Sequence, residues 1–299
     1  MKISVILCTH NPRADHFART LAALQSQTLP AGEWELLVVD NASAPPVELP
    51  ATGLAPVRAR VVCEPVPGLV AARLRGIAEA AGALLVWVDD DNVLAPDYLA
   101  RATKIAERWP ALGAFGGQIH AECEVPPTPW FAARLDRLAI REFPVETRSA
   151  RADLATAPCG AGLCVRTDVA RHYRARALGD PARRALGHQG AVAGSGDDFD
   201  LAFTAHDLGL EVGRFPALEL IHLIPRERLT LRYFARLTRA QAQGTQQLLA
   251  LHHLSGPFSP PALAARWAHW KWSVVDILFS LFPLNRPNHA TRRDHHPHA

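Results

Sequence analysis

Three consecutive aspartates, Asp89, Asp90 and Asp91, directly follow the apolar run at residues 84–88. Such a run is typical of a buried strand, and ligands bind at the carboxyl ends of strands in open α/β sheets. Clustered carboxylates repel one another unless a cation or hydrogen bonds compensate their charge. If the chain stays extended, Asp89 and Asp91 point to one side, where they suit Mg²⁺ or Mn²⁺ bridging to a diphosphate. The alternative is a set of solvated turn acids.

A second acidic group, Asp197, Asp198 and Asp200, stands at the start of a predicted helix. Ser195 or Gly196 is the expected N-terminal cap of this helix. Acids in the first turn of a helix interact favourably with the helix macrodipole, so the group also has a purely structural explanation.

Strands and helices alternate over the first hundred residues. Apolar runs predict four strands, at residues 3–8, 34–39, 57–63 and 84–88. Helical patterns follow at 70–81 and 96–108, and Gly82 is expected to end the first of them as a C′ glycine. The alternation predicts an α/β protein with a mostly parallel, twisted sheet flanked by helices. A P-loop and a dinucleotide fingerprint are both excluded, because neither GxxxxGK[ST] nor a GxGxxG after the first strand occurs.

The composition is that of a large globular protein. The chain has 299 residues, of which 48% are hydrophobic, and a formal net charge of +3, which is too small to indicate a nucleic-acid partner. Its five cysteines are odd in number and include no CxxC pair, which favours reduced thiols in a cytosolic protein. The N-terminus does not have the pattern of a signal peptide, and no stretch reaches the ~18 apolar residues of a membrane-spanning helix. We therefore expect a cytoplasmic protein.

The last third of the chain is helical and basic in pattern. Five arginines and one glutamate occur within residues 226–239. Three tryptophans precede a short apolar run: Trp267, Trp270 and Trp272. This combination is typical of a helix lying on a membrane surface, and the alternative is a helical pair that packs on the sheet domain. We expect a basic and apolar helical extension over 226–285 and a disordered tail over 286–299.

Eight motifs occur in a fixed order along roughly residues 1–225: ISVILCTHNP, LLVVDNAS, PGLVAARLRG, LLVWVDDDNVLAPDYL, GGQI, CGAGLCV, SGDDFDLAFTAHDLGLEV and LIHLIP. This order resembles the family-2 glycosyltransferases of the GT-A fold. The resemblance implies one GT-A domain over 1–225, with a nucleotide-binding half at 1–95 and an acceptor and catalytic half at 96–225.

The resemblance also implies an activity. It is the inverting transfer of a sugar from a nucleotide-sugar of the UDP, GDP or dTDP type to an acceptor hydroxyl, usually with Mg²⁺ or Mn²⁺. A saccharide or lipid-linked acceptor in cell-surface polysaccharide or glycolipid assembly would fit peripheral contact of the C-terminal helices with the inner face of the membrane. The alternative functions are a nucleotidyltransferase and a non-catalytic sugar-nucleotide-binding relative.

By this resemblance, the first two strands carry nucleoside contacts. Asp40 matches the aspartate that accepts hydrogen bonds from the nucleobase, with a turn opener as the alternative. Thr9, His10 and Asn11 lie in the turn that would form part of the nucleoside pocket.

Arg73 matches an arginine that reaches the diphosphate or the base through its guanidinium. Leu74 stands where the family usually has Asn, which removes a polar contact, and Arg75 is the next candidate. The alternative for Arg73 is an exposed helix arginine.

The remaining roles concern the metal and the base. Asp91 matches the direct metal ligand, Asp89 lies nearer the ribose, and Asp90 has a structural or sugar-facing role. His222 matches a histidine that completes the metal shell, although by itself it would be a core histidine. Asp198 matches the catalytic base, which takes the proton of the attacking hydroxyl.

Two neighbouring acids bear on that assignment. Asp197 replaces the Glu that usually precedes the base, and Asp200, on the same helix, is the main rival for the role.

Overall fold

The computed structural model describes residues 1–50, 54, 56–187 and 194–254. The compact unit Met1–Leu254 contains all of these residues. Within them, nine strands form a single sheet: β1 (Ile3–Thr9), β2 (Trp34–Asp40), β3 (Arg58–Cys63), β4 (Leu84–Asp89), β5 (Asn92–Leu94), β6 (Leu112–Cys123), β7 (Thr147–Ser149), β8 (Cys164–Arg166) and β9 (Glu211–Ile224).

Helices cover both faces of the sheet. The described helices are α1 (Ala14–Gln25), α2 (Leu69–Glu79), α3 (Tyr98–Arg108), α4 (Pro129–Ala132), α5 (Thr167–Gly179), α6 (Pro181–Arg184), α7 (Asp197–Asp207) and α8 (Leu231–Leu251). One apolar cluster packs α1 and α3 against the sheet, and a second packs α2, α5 and α7.

One half of the sheet is parallel and the other half is mixed. The order β3-β2-β1-β4 contains only parallel pairs, and β1, β2 and the apolar part of β4 are buried, as their uninterrupted apolar sequences predict. Beyond β4, the order continues β8-β6-β9-β5, in which only β6 and β9 are parallel. The α/β class predicted from the sequence is confirmed, with strands and helices alternating through the parallel half.

Gly82 has a different role from the one predicted. Helix α2 ends at Glu79, and Gly82 is not in the left-handed conformation of a C′ glycine. Its Cα lies against the start of β1, where an added Cβ would come within 2.4 Å of the Ser4 backbone nitrogen and 2.5 Å of the Ile3 carbonyl carbon. The glycine is therefore required by the close approach of two backbone segments.

Helix α8 packs in the same compact unit as the sheet. Its buried residues are Phe234, Ala240, Gly244 and Leu248. Phe234 contacts Trp130 and Phe131, whose rings lie 4.9 Å apart in an edge-to-face arrangement.

Part of the predicted C-terminal organisation lies outside the described residues. This concerns the end of the 226–285 extension, with its three tryptophans, and the tail over 286–299. Of the helices that the structure describes, none is both long enough and apolar enough to cross a membrane.

We predict that Gly82→Ala destabilises the protein. The new Cβ meets backbone atoms that cannot move away independently, and overpacking of this kind costs about 1–3 kcal/mol. Urea denaturation should show the loss as a lower midpoint. Gly179→Ala is the matched control, because a Cβ there meets nothing within 4 Å. An unchanged midpoint in Gly82→Ala would contradict the assignment of a close approach.

Candidate active site

The carboxyl ends of three parallel strands lie at one edge of the sheet. In the strand register, Thr9 of β1 is opposite Asp40 of β2, and Cys8 of β1 is opposite Asp89 of β4. The side chains that the sequence assigned to nucleotide and metal binding therefore come from neighbouring strand ends, as a parallel sheet requires.

The aspartates after β4 form a tight turn. Strand β4 ends at Asp89, Asp90 and Asp91 form the turn, and β5 begins at Asn92. The Asn92 side chain accepts the Asp89 backbone N–H at 3.1 Å and donates to Asp91 Oδ1 at 2.9 Å. The alternation expected for an extended chain does not apply, because Asn92 bends the chain back into a new strand.

A cavity of about 360 Å³ opens at this edge. Six of the sequence-predicted site residues line it: Thr9, His10, Asp89, Asp90, Asp91 and His222. Seven further residues complete the lining: Cys8, Asn41, Pro67, Gly68, Leu69, Ala72 and Arg228. The structure thus brings the predicted nucleotide and metal residues together around one space.

The pairing of β5 with β9 places His222 beside the acidic turn. Asn92 and His222 are directly opposite in this antiparallel pair, and the Leu223 N–H donates to the Asp91 carbonyl at 2.9 Å. His222 Nε2 consequently lies 3.4 Å from Asp91 Oδ2.

Arg228 spans these two side chains. Its Nη2 lies 3.0 Å from Asp91 Oδ2, and its Nη1 lies 2.9 Å from His222 Nε2. The other imidazole nitrogen, Nδ1, lies 3.0 Å from the Leu138 carbonyl oxygen, so Nδ1 carries a proton and donates it. Because a guanidinium only donates, Nε2 is the acceptor, and His222 is a neutral imidazole with its lone pair directed at Arg228.

The three aspartates differ in acidity. Burial, with the Asp91 charge second, raises the pKa of Asp89 to about 6. Burial also raises the pKa of Asp90 to about 6, although Thr9 donates a hydrogen bond to it. Burial acts in the same direction on Asp91, but nearby positive charge, with the Arg228 guanidinium 3.0 Å away, outweighs it and lowers the pKa of Asp91. Asp91 is therefore the most strongly ionised of the three.

Asp40 does not line the cavity. It is buried, and its two carboxylate oxygens accept the backbone N–H groups of Ser43 and Val47, each at 3.1 Å. Burial opposes ionisation, yet these hydrogen bonds lower the pKa of Asp40. Asp40 holds the loop after β2, and its predicted contact with a nucleobase stays a prediction.

The two residues after Thr9 are held by the loop that follows β2. His10 Nδ1 lies 2.7 Å from the Asn41 carbonyl oxygen. Asn11 accepts the Ala44 N–H at 2.8 Å, outside the cavity lining. Both residues therefore link the β1 turn to the β2 loop.

Arg73 is buried and paired. It forms an ion pair with Asp197, and its guanidinium lies 5.7 Å from the centroid of the Trp87 ring. The charges of Asp197, Asp198 and Asp89 together outweigh the burial of Arg73 and keep its pKa raised. Arg73 is not an exposed helix arginine, and it does not line the cavity. It joins the acids of α7 to the acid at the end of β4.

Asp198 lies near Arg73 and does not line the cavity. Its Oδ2 accepts the Gly160 N–H at 2.8 Å, and its Oδ1 accepts the Phe199 N–H at 2.9 Å. A Cβ on Gly160 would lie 2.9 Å from Arg73 Nη2 and 3.1 Å from the Asp198 Cβ, so a larger residue there would push against both side chains. Burial and then the Asp197 charge raise the pKa of Asp198. Gly196, with φ 101°, precedes α7 and turns the chain into this position.

Asp200 is committed to a structural contact. It is fully buried, forms an ion pair with Arg183, and lies 2.7 Å from His252 Nε2 near the end of α8. Asp200 therefore contacts Arg183 and His252 and not Arg73, and the choice of Asp198 over Asp200 as the base stays a prediction.

A family model described as Glycosyl transferase family 2 matches residues 4–168, which is more than half of the chain. The chain belongs to glycosyl transferase family 2. No curated protein sequence matches it.

Solved structures show the same fold. The crystal structure of S. aureus TarS 1-349 is 15% identical, with 83% of this chain and 69% of that chain covered and a TM-score of 0.50. The crystal structure of GalNAc-T7 with UDP, GalNAc and Mn²⁺ is 16% identical, with 80% and 48% covered and a TM-score of 0.51. The predicted GT-A fold of this glycosyltransferase is confirmed.

The donor set of the glycosyltransferase fits a divalent cation in part. Among the described residues, no group of three or more His, Cys, Asp or Glu side chains is arranged as a metal site. The Asp91 Oδ2 oxygen and the His222 Nε2 nitrogen nevertheless lie 3.4 Å apart, and the other positions around Mg²⁺ or Mn²⁺ are commonly filled by water and phosphate oxygens.

Sequence reasoning missed Asn41 and Arg228. Asn41 accepts the Gly68 N–H at 2.7 Å and donates to the Val66 carbonyl at 2.7 Å, which shapes one wall of the cavity. Its position beside Asp40 at a strand end could have identified it. Arg228 carried no comparable signal, because it is one of five arginines in a basic stretch.

We predict that Arg183→Leu lowers the free energy of unfolding by about 3–5 kcal/mol, because it leaves the Asp200 carboxylate buried without its guanidinium partner. Urea denaturation measures the loss. Arg184→Leu is the control at the exposed neighbouring position and should cost less than about 1 kcal/mol. Equal stability of the two variants would show that Asp200 is not committed to Arg183.

Proposed function

We propose that the protein is an inverting, metal-dependent glycosyltransferase that moves a sugar from a nucleotide-sugar to an acceptor hydroxyl. The observation that supports this most is the position of Arg73. Its guanidinium is paired with Asp197 and interacts with the charges of Asp198 at the start of α7 and Asp89 at the end of β4, so one buried arginine links acids from two distant segments. A single displacement at the sugar carbon needs the nucleotide leaving group on one side of that carbon and a base for the acceptor hydroxyl on the other.

Asp198 is the proposed base. As a carboxylate, it takes the proton of the acceptor hydroxyl while that oxygen attacks the sugar carbon and the bond to the diphosphate breaks. The Gly160 and Phe199 N–H groups orient its two oxygens. Its raised pKa makes it a stronger base than an exposed aspartate.

The cavity is the proposed site of the nucleoside diphosphate. Thr9, His10 and Asn41 line its nucleoside side, and Asp89 to Asp91 lie at its diphosphate side. Asp91 and His222 are the residues that would hold Mg²⁺ or Mn²⁺. When bound, the cation would neutralise the charge that develops on the leaving diphosphate.

The acceptor is proposed to be a saccharide or lipid-linked alcohol in surface polysaccharide or glycolipid assembly on the cytoplasmic side of a membrane. The support is the exposed basic face of the chain around the start of α8, which consists of Arg226, Arg232, Arg236 and Arg239. Such a face favours anionic lipid surfaces.

We predict that Asp198→Asn abolishes transfer and keeps donor binding. Loss of a general base lowers the rate by about 10²–10⁴-fold, while the cavity residues stay in place. Product formation from UDP-, GDP- and dTDP-sugars with Mn²⁺ measures the first effect, and thermal stabilisation by the same donors measures the second. Asp207→Asn, at the exposed end of the same helix, is the matched control and should keep full activity. Full turnover in Asp198→Asn would contradict the proposed base.

We predict that Asp197→Asn moves the acidic limb of the kcat/KM profile to lower pH. The substitution removes a negative charge that raises the pKa of Asp198, and it also removes the ion-pair partner that competes with Asp198 for Arg73. Both changes lower the pKa of Asp198, so the base stays ionised further into acid. The pH profile of kcat/KM measures this, with Asp207→Asn as the control whose limb does not move. A limb that shifts upward would show that another group controls it.

A further inference from the structure

We propose that Arg228 is a built-in counter-cation that occupies the place of the divalent metal between Asp91 and His222 and must leave when the metal binds. The inference rests on the proposed function, because it concerns the same metal-binding pair. It adds that a residue of this chain, Arg228, competes with the metal for that pair.

The first argument is the geometry of the contact. Two N–H groups of one guanidinium reach the two proposed metal ligands at 3.0 and 2.9 Å. The planar fork of an arginine makes two such contacts at once, whereas the compact ammonium of a lysine acts as a point charge. A cation bound by Asp91 Oδ2 and His222 Nε2 would have to use the same oxygen and the same nitrogen lone pair. Metal and guanidinium therefore exclude each other.

The second argument is the state of the histidine. The Leu138 carbonyl holds the proton on Nδ1 and thus keeps Nε2 as an acceptor. This is the tautomer that a metal needs, and in the structure Arg228 is the donor that satisfies it. Arg228 consequently keeps the ligand pair assembled while no metal is bound.

The third argument is that the arginine can leave without unfolding its surroundings. The turn before it is held by the Glu124 carboxylate, which accepts the Arg226 backbone N–H at 3.0 Å and forms an ion pair with Arg13 at 3.0 Å. The Arg228 side chain itself is 32% exposed, whereas the Asp91 side chain is 8% exposed. The guanidinium can swing into the cavity that it lines while the turn keeps its place.

The test is the affinity for Mn²⁺ alone, without nucleotide, measured by calorimetry and by the electron paramagnetic resonance of free Mn²⁺. Arg228→Gln should bind Mn²⁺ at least about tenfold more tightly than the wild-type protein, because the metal no longer has to break two charge-assisted hydrogen bonds. Arg228→Lys should lie between the two. Arg226→Gln, two residues earlier in the same turn and exposed, is the matched control and should bind like the wild-type protein. Asp91→Asn in the Arg228→Gln background should remove the gain and so locate the site.

The outcomes separate this inference from the function on which it rests. Equal or weaker Mn²⁺ binding by Arg228→Gln, with binding by the wild-type protein, would overturn the competition and leave the metal site standing. Absence of Mn²⁺ binding in both proteins would overturn the competition and the metal requirement together. In that case, sugar transfer that persists in the presence of EDTA would show that the glycosyltransferase activity does not need the metal.

Discussion

The site depends on the compensation of three carboxylates at the end of one buried strand. Asp89, Asp90 and Asp91 can be enclosed together only if positive charge and N–H or O–H donors are brought to them. Each aspartate has its own partner: Thr9 donates to Asp90, Arg73 interacts with Asp89, and Arg228 pairs with Asp91. Compensation is incomplete, because the pKa values of Asp89 and Asp90 remain raised to about 6. The remaining unfavourable charge is what a bound cation would relieve.

The topology of the sheet explains why these partners arrive together. Strand β9 runs antiparallel to β5 and parallel to β6, so one continuous strand passes the acidic turn and then leads into the turn that carries Arg228. His222 and Arg228 thus come from the same stretch of chain and approach Asp91 in a fixed relation. The parallel half of the sheet supplies the acids, and the mixed half supplies the cation and the imidazole.

The amino-acid sequence predicts the residues whose position follows from local pattern. Thr9, Asp40 and Asp89 end apolar strands, and parallel strands share an edge, so their approach could be foreseen. The pairing of Arg73 with Asp197 could not be predicted, because it joins α2 to α7 across 124 positions and depends on how the two helices pack. The turn at Asp90 and Asp91 was missed because Asn92 gives no signal of a reversal until its side-chain contacts are known. The role of Gly82 was missed because its constraint is a neighbouring strand.

Three arginine–aspartate pairs differ in how exposed their side chains are, and this difference distinguishes structural pairs from a pair at the proposed reaction site. In the pair of Arg183 with Asp200, the side chains are 2% and 0% exposed, and in the pair of Arg73 with Asp197 they are 5% and 6% exposed. Opening either pair would leave a buried charge without its ion-pair partner, which costs several kcal/mol, so both are permanent supports. The Arg228 side chain is 32% exposed and borders the cavity, so its guanidinium can move into water, and a bound cation would replace it at the 8% exposed Asp91. An arginine that can be displaced therefore stands where the proposed reaction needs a cation, and the arginines that cannot move hold the acids around it.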